Sequence, residues 1–247
     1  MEQAQRLRVL SLNTWKCDGE YRARIKALAT YLPELSPDVV LLQEVFDASH
    51  LGLSTYQVLA RALPEHSSHR VPGREKIRHF EGMRVLSTSS LAIFVRGEIL
   101  RASKIILPTS TQDPDRVGQL IAVRNPSGEF TVANVHLTHI EHHHALRAQQ
   151  TLALLRVLPN SKVIVGGDFN ATPTSQAVVL LKTRMDCAPT PSTPTLIAEN
   201  QESVRVVDYL AWSGWPAESP AVSTVFDGER GPIVSDHLGV MADIFVE

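Results

Sequence analysis

Apolar runs that each end in a polar residue recur along this chain, and no other feature restricts its fold so strongly. Val9-Leu10-Ser11-Leu12 ends at Asn13, Val39-Val40-Leu41-Leu42 at Gln43-Glu44, and Val132-Ala133-Asn134-Val135 at His136. Val163-Ile164-Val165 passes through two glycines to Asp168 and Asn170, and Val206-Val207 runs through Asp208 into Tyr209-Leu210. Ser235-Asp236-His237 stands just before the apolar stretch 240–246. Taken singly, Asn13 and Asn170 read equally as turn formers or caps, Glu44 as a solvated strand end and His136 as a structural histidine. Asp208 is harder to dismiss, because a carboxylate among apolar residues needs a partner or a metal. Taken together, the six polar ends predict a fold that brings them to one rim.

The runs themselves set the fold class. Val39 to Leu42 is continuously apolar, the pattern of a strand buried on both faces. Strand-like runs also cover 91–95, 119–123, 130–135, 204–210 and 240–246, with the turn signal Asn125-Pro126-Ser127-Gly128 before the third. Ile25, Leu28, Ala29 and Leu32 recur at helical spacing and predict a helix over 21–32, and a second helix is predicted over 145–158. Helices alternate with strands early, while strand pairs with short turns dominate the middle. This mixture predicts an α+β sandwich, two mixed and mainly antiparallel sheets flanked by helices, rather than a doubly wound parallel sheet. No linker or repeat divides the 247 residues, so residues 1–247 read as one domain.

Composition narrows the partners. The net charge of −2 excludes a generally basic surface, so polyanion binding has to come from a local patch. Two cysteines, Cys17 and Cys187, form no disulfide framework or metal motif, which suits a reducing compartment and an expected cytoplasmic location. No apolar run is long enough for a signal peptide or a membrane span, and no stable membrane insertion is expected.

Oxygen ligands from Asp, Glu and Asn suit a hard cation such as Mg²⁺, with Mn²⁺ as a substitute. A His beside an Asp fixes an imidazole tautomer and suits a general base, and a second His with Asn amides offers donors to charge building on a phosphoryl oxygen. Metal, base and donors together describe a phosphoester hydrolase site.

Leu-Asn-Thr-Trp, Leu-Gln-Glu-Val, Asn-Val-His-Leu, Gly-Gly-Asp-Phe-Asn, Val-Asp-Tyr-Leu and Ser-Asp-His-Leu-Gly-Val, in that order, resemble the motifs of the endonuclease/exonuclease/phosphatase superfamily over residues 8 to 245. The resemblance implies a four-layer α/β sandwich and the following roles. Glu44 would be the principal Mg²⁺ ligand, with Asn13 close to metal and phosphate. His136 would bond the scissile phosphate, with Asp208 as its partner. Asp168 would position or deprotonate the attacking water, and Asn170 would hold the phosphate or that water. Asp236 would orient His237, a general base or phosphate ligand. Trp15 departs from members that carry a polar metal-site residue at that position, which argues against a second metal there.

Substrate signals are thinner. Segment 66–84 carries five Arg/Lys against two Glu, plus three His, and reads either as a solvated loop or as a phosphate-binding arm that includes Arg70, Arg74 and Arg78. The run from His139 to His144 reads either as a transition-metal site or as exposed residues on the active-site rim, with His139 the one expected to face substrate; Arg147 and Gln150 are expected to pack against loops. Trp212, Trp215 and Pro216 line a nucleotide pocket or simply cover a sheet edge. The expectation is a monomeric, Mg²⁺-dependent phosphodiesterase or nuclease acting by in-line attack of water on phosphorus, with nucleic acid among its substrates. The alternatives are a phosphatase or lipid phosphodiesterase on the same site, and, remotely, a non-catalytic binding module.

Overall fold

The computed structural model describes residues 5–188, 194–197, 205–215 and 222–246. In chain order these form β1 (Gln5–Asn13), α1 (Tyr21–Tyr31), β2 (Val39–Ala48), β3 (Leu53–Ser54), α2 (Thr55–Ala62), β4 (Ser67–Pro72), β5 (Lys76–Phe80) and β6 (Met83–Val95). There follow β7 (Glu98–Ile106), β8 (Val117–Asn125), β9 (Gly128–His136), α3 (His144–Val157), β10 (Val163–Asp168) and α4 (Gln176–Lys182). The chain closes with β11 (Asp186–Cys187), β12 (Asp208–Ser213), β13 (Val222–Val225) and β14 (Gly239–Val246). One sheet has the order β13-β14-β1-β2-β6-β4, with β3 on β2 and β5 on β6; the other runs β11-β12-β10-β9-β8-β7.

Alternation along the strands builds the layers. Val39 and Leu41 join Ile93, Val132, Ile164 and Leu210 between the sheets. Their neighbours Val40 and Leu42 face outward, onto Ile25 and Leu28 of α1 and Leu59 of α2. In the second sheet Val163 and Val165 turn the other way, against Leu154 of α3 and Val178 of α4. Helix, sheet, sheet and helix therefore stack in four layers, as the continuous apolar runs required, and each fully buried Val or Leu contributes about 1.5–3 kcal/mol. No helix among the described residues is long and apolar enough to cross a membrane.

Each sheet contains a single parallel pair among the described strands: β1 with β2, and β9 with β10. In a parallel pair both C-terminal ends reach the same edge, so the polar tips of four strands emerge together. Near that edge the layer between the sheets becomes polar. Gln43 donates to Asn134 Oδ1 at 2.8 Å, and Asn134 donates to the carbonyls of Leu42 and Ala92 at 2.9 and 3.0 Å. These bonds occupy both groups of the Asn134 amide and the Gln43 Nε2, leave Gln43 Oε1 without a partner among the described residues, and tie one sheet to the other.

Two expectations are corrected. Segment 66–84 is not a loop but the strands β4 and β5 and the start of β6, with Lys76 paired to Ser87 and Phe80 to Met83. It has little apolar alternation because most of its residues are half-buried or exposed, so periodicity carried no strand signal. The strand expected over 204–210 begins at Asp208 and continues to Ser213; Val204, like Pro216, lies outside the described residues.

Candidate active site

Asp168, almost wholly buried at the tip of β10, is the hub of the rim. It pairs in register with His136 on β9 and with Asp208 on β12, which sets three polar side chains in one row. Asn13 arrives from the opposite sheet and donates its Nδ2 to Asp168 Oδ2 at 3.0 Å. The backbone N–H of Asn170 donates to Asp168 Oδ1 at 2.8 Å. His136 Nε2 and His237 Nε2 lie 3.5 and 3.9 Å from Asp168 Oδ2. Burial, reinforced by the charge of Asp208, pushes the Asp168 carboxyl up to about 7.

The glycines before Asp168 are a steric necessity. A Cβ on Gly167, at φ +145°, would stand 1.9 Å from the carbonyl oxygen of Val135, and one on Gly166 would meet Leu41 and Leu210 at 2.7 and 2.8 Å. Strand alternation ends at Asp168. Asn170 reaches the same cleft by a left-handed turn, at φ 48°, and its Nδ2 donates to Leu137 O at 3.1 Å.

Two residue roles implied by resemblance are corrected. Asp208 does not pair with His136. Its Oδ2 accepts a hydrogen bond from His237 Nδ1 at 2.9 Å, and the backbone N–H of Asp208 is held by Thr195 Oγ1 at 3.1 Å. Asp236, expected to orient His237, instead accepts from the Ser235 hydroxyl at 3.2 Å. The reason is backbone direction: side chains of adjacent residues diverge, whereas Asp208 is carried to His237 by strand pairing. Burial opposes charge on His237, but the carboxylates of Asp208, Asp168 and Asp236 outweigh it and raise its pKa to about 10. Burial holds His136 well below its ordinary value, with Arg116 and Lys16 adding to the effect.

Glu44 sits in a β-bulge. The β2–β6 register steps from Leu42–Ala92 to Val45–Ser90, so Gln43 and Glu44 together oppose Leu91, and Glu44 takes φ 56°. The bulge turns its carboxylate into the cleft, where Lys16 Nζ approaches Oε1 at 2.8 Å. Lys16 escaped the sequence reading. Its loop is fastened by Arg24, whose guanidinium donates to the carbonyls of Thr14, Trp15 and Lys16. The one signal for Lys16 was its place three residues after Asn13.

The cleft has a volume of about 370 Å³, within the range of small-ligand sites. Asn13, Glu44, His136 and Asp168 line it together with Asn170, Asp236 and His237, and His139 completes the rim. Asp208 lies behind His237. Arg74, between β4 and β5, lines the cleft together with Lys76 and Arg78 of β5. Arg70 does not: it is held by Asp47 at 2.8 Å and stacks on Tyr56. Arg147 donates to the carbonyls of Thr138 and Ile140, and Gln150 accepts from the Thr138 N–H, the loop-packing role expected of them. Trp212 and Trp215 pack between the sheets, Trp215 edge-on to Phe130, and so line no part of the cleft.

Oxygen donors that could serve a divalent cation line the cleft. Glu44 offers a carboxylate whose charge is already answered by a cation, the Lys16 ammonium, and Asn13 stands on the same cleft. Asp168, Asp208 and His237 form a second group whose ligand atoms lie within 4.8 Å of one another.

The fold is shared with solved structures. An endonuclease/exonuclease/phosphatase family protein from Leptotrichia buccalis matches at a TM-score of 0.72 and 18% identity, over 96% of this chain and 99% of that one. The human Nocturnin catalytic domain with bound sulfate anion matches at 0.70 and 19%, over 96% and 93%. D. rerio TDP2 complexed with single strand DNA product matches at 0.70 and 18%, over 96% and 98%. No curated protein matches the sequence. The model of the Endonuclease/Exonuclease/phosphatase family matches residues 10–237, and the chain belongs to that family of phosphoester-hydrolysing enzymes.

Proposed function

We propose that this hydrolase is a Mg²⁺-dependent phosphodiesterase, nucleic acid included among its substrates, acting as a monomer in the cytoplasm. The observation that carries the reading is the convergence on Asp168: one buried carboxylate, with Asn13 and two imidazoles around it, opening on a cleft lined by Lys16, Arg74, Lys76 and Arg78. Glu44 and Asn13 would hold the cation, a single carboxylate being enough for an ion that keeps most of its waters. When bound there, the ion supplies positive charge to the phosphate oxygens. The bound sulfate of the Nocturnin structure and the DNA product of the TDP2 structure are consistent with an anionic phosphate ligand on this fold.

The chain's own residues divide the remaining work. Asp168 accepts a proton from the attacking water, its raised pKa bringing it close to neutral pH, where a general base is most effective. Asp208 fixes the ring of His237 through Nδ1, which leaves Nε2–H as a charged donor toward the phosphate. His136, held neutral, donates to the same group. Asn170 steadies the turn that carries Asp168. The free thiols of Cys17 and Cys187 accord with a reducing compartment.

The test is hydrolysis of bis-p-nitrophenyl phosphate and of a single-stranded oligonucleotide. Activity is expected to vanish in excess EDTA and to return with Mg²⁺ or Mn²⁺. Asp168→Asn should lower kcat by about 10²–10⁴-fold. Full turnover in EDTA, or an active Asp168→Asn variant, would refute the reading.

A further inference from the structure

Arg116 stands just before β8, half-buried, and nothing in the sequence motifs marks it. Its guanidinium is tied at three points. Nε meets Asp113 Oδ2 at 2.6 Å, Nη1 donates to the carbonyl of His136 at 3.3 Å, and Nη2 lies 2.6 Å from Nδ1 of His139. Asp113 is buried; burial alone would raise its pKa, yet the charge of Arg116 holds it low, so the pair is ionised. An arginine side chain has donors only and keeps its proton in proteins. The close contact with His139 therefore admits a single assignment: Nδ1 of His139 is the acceptor and carries no proton.

The consequence falls on the opposite edge of the ring. In neutral His139 the proton sits on Nε2, which has no hydrogen-bond partner among the described residues, and the ring lines the cleft that holds His136, Glu44 and Asp168. Burial and the nearby Arg116 lower the His139 pKa, which favours the neutral ring. The backbone around it is clamped as well. Arg147 holds the carbonyls on either side, at Thr138 and Ile140, and Asn170 donates to Leu137 O. A donor fixed in tautomer and in place costs little to order when a ligand arrives.

We propose that Arg116 is a positioning residue that holds His139 in its Nε2–H tautomer, so that His139 donates from Nε2 to a phosphate oxygen of the substrate alongside His136. The proposal rests on the reading of the cleft as a phosphoester site, but its first test does not. In full-length protein carrying ¹⁵N-labelled histidine, long-range ¹⁵N–¹H spectra report the tautomer, with the His139 signals assigned by their loss in His139→Gln. The wild type is expected to show protonated Nε2 and bare Nδ1, and Arg116→Met to shift His139 toward a mixture. A wild-type ring protonated at Nδ1, or a tautomer unmoved by Arg116→Met, overturns the proposal. The wild-type spectrum decides even where the variant does not fold.

The second test reads turnover of bis-p-nitrophenyl phosphate. His139→Ala and Arg116→Met should each lower kcat/KM about 10- to 100-fold, the scale of one hydrogen bond to a charged group. In the double variant most of the Arg116→Met loss should disappear once His139 is Ala, any remainder reflecting the bond of Arg116 to the His136 carbonyl. Multiplying losses, or a His139→Ala enzyme with unchanged kcat/KM, overturn it. An inactive wild type would count against the hydrolase reading and leave the spectroscopic result standing.

Discussion

His237 has three carboxylates in its neighbourhood, Asp208, Asp168 and Asp236, and the one adjacent in sequence is not the one that holds its Nδ1. Asp236 bonds Ser235, while Asp208, from another strand, accepts from His237 Nδ1 at 2.9 Å. Of the three, only Asp208 hydrogen-bonds Nδ1 and so fixes the ring, and its charge is the largest of those that favour the imidazolium. Asp208→Asn is therefore expected to cost about 10²–10⁴-fold in kcat, and Asp236→Asn less than about tenfold. Steady-state kinetics of the two variants on one substrate checks the ranking, and the reverse order would restore Asp236 as the orienting group. At this scale the sequence told which residue types gather. It was silent on which atoms meet, because those distances depend on strand pairing rather than on spacing along the chain. Lys16 and Arg116 were missed for the same reason: a single cation carries no periodic signal, and only the fold brings it to the carboxylate or the ring it serves.

Strands and helices with a buried face announced themselves, since period-2 and period-3.6 apolar patterns are what burial demands. The helix expected over 21–32 is observed as Tyr21–Tyr31, and that over 145–158 as His144–Val157. β4 and β5, each laid along β6, did not show themselves, because most of their residues are half-buried or exposed and carry no apolar stripe. The bulge at Glu44 was equally hidden; it depends on one unmatched residue between β2 and β6. Gly167 offers a test of element geometry. Its substituent would meet the Val135 carbonyl at 1.9 Å, and its φ of +145° is one that side chains rarely adopt. Gly167→Ala is expected to destabilise the protein by at least about 1–3 kcal/mol, the strain term alone, and to spread β10 from β9. Thermal unfolding measures it, and an unchanged Tm would show that the strand pair tolerates the clash.

At the scale of the whole molecule, a net charge of −2 leaves nucleic-acid affinity to a few cleft cations. Arg74, Lys76 and Arg78 are the cations that the β4–β6 ribbon offers, and Arg74 already pairs with Asp115. For a single-stranded oligonucleotide the logarithm of kcat/KM should fall against the logarithm of salt with a slope of roughly −2, about −0.7 for each contact. A slope steeper than about −5 would reveal an extended basic groove that this surface does not explain. By itself the sequence determined the layers, the one-rim principle and the residue types at the strand tips, because burial periodicity and the cost of burying a polar group are local in the chain. The tertiary structure alone decided the hydrogen-bond partners: Asp208 on His237, Lys16 on Glu44, Arg116 on His139. Each of these contacts joins separate segments: strand pairing brings Lys16 and Glu44 together at the β1–β2 edge and Arg116 and His139 at the β8–β9 edge, and sheet packing brings Asp208 to His237, none of which spacing along the chain encodes.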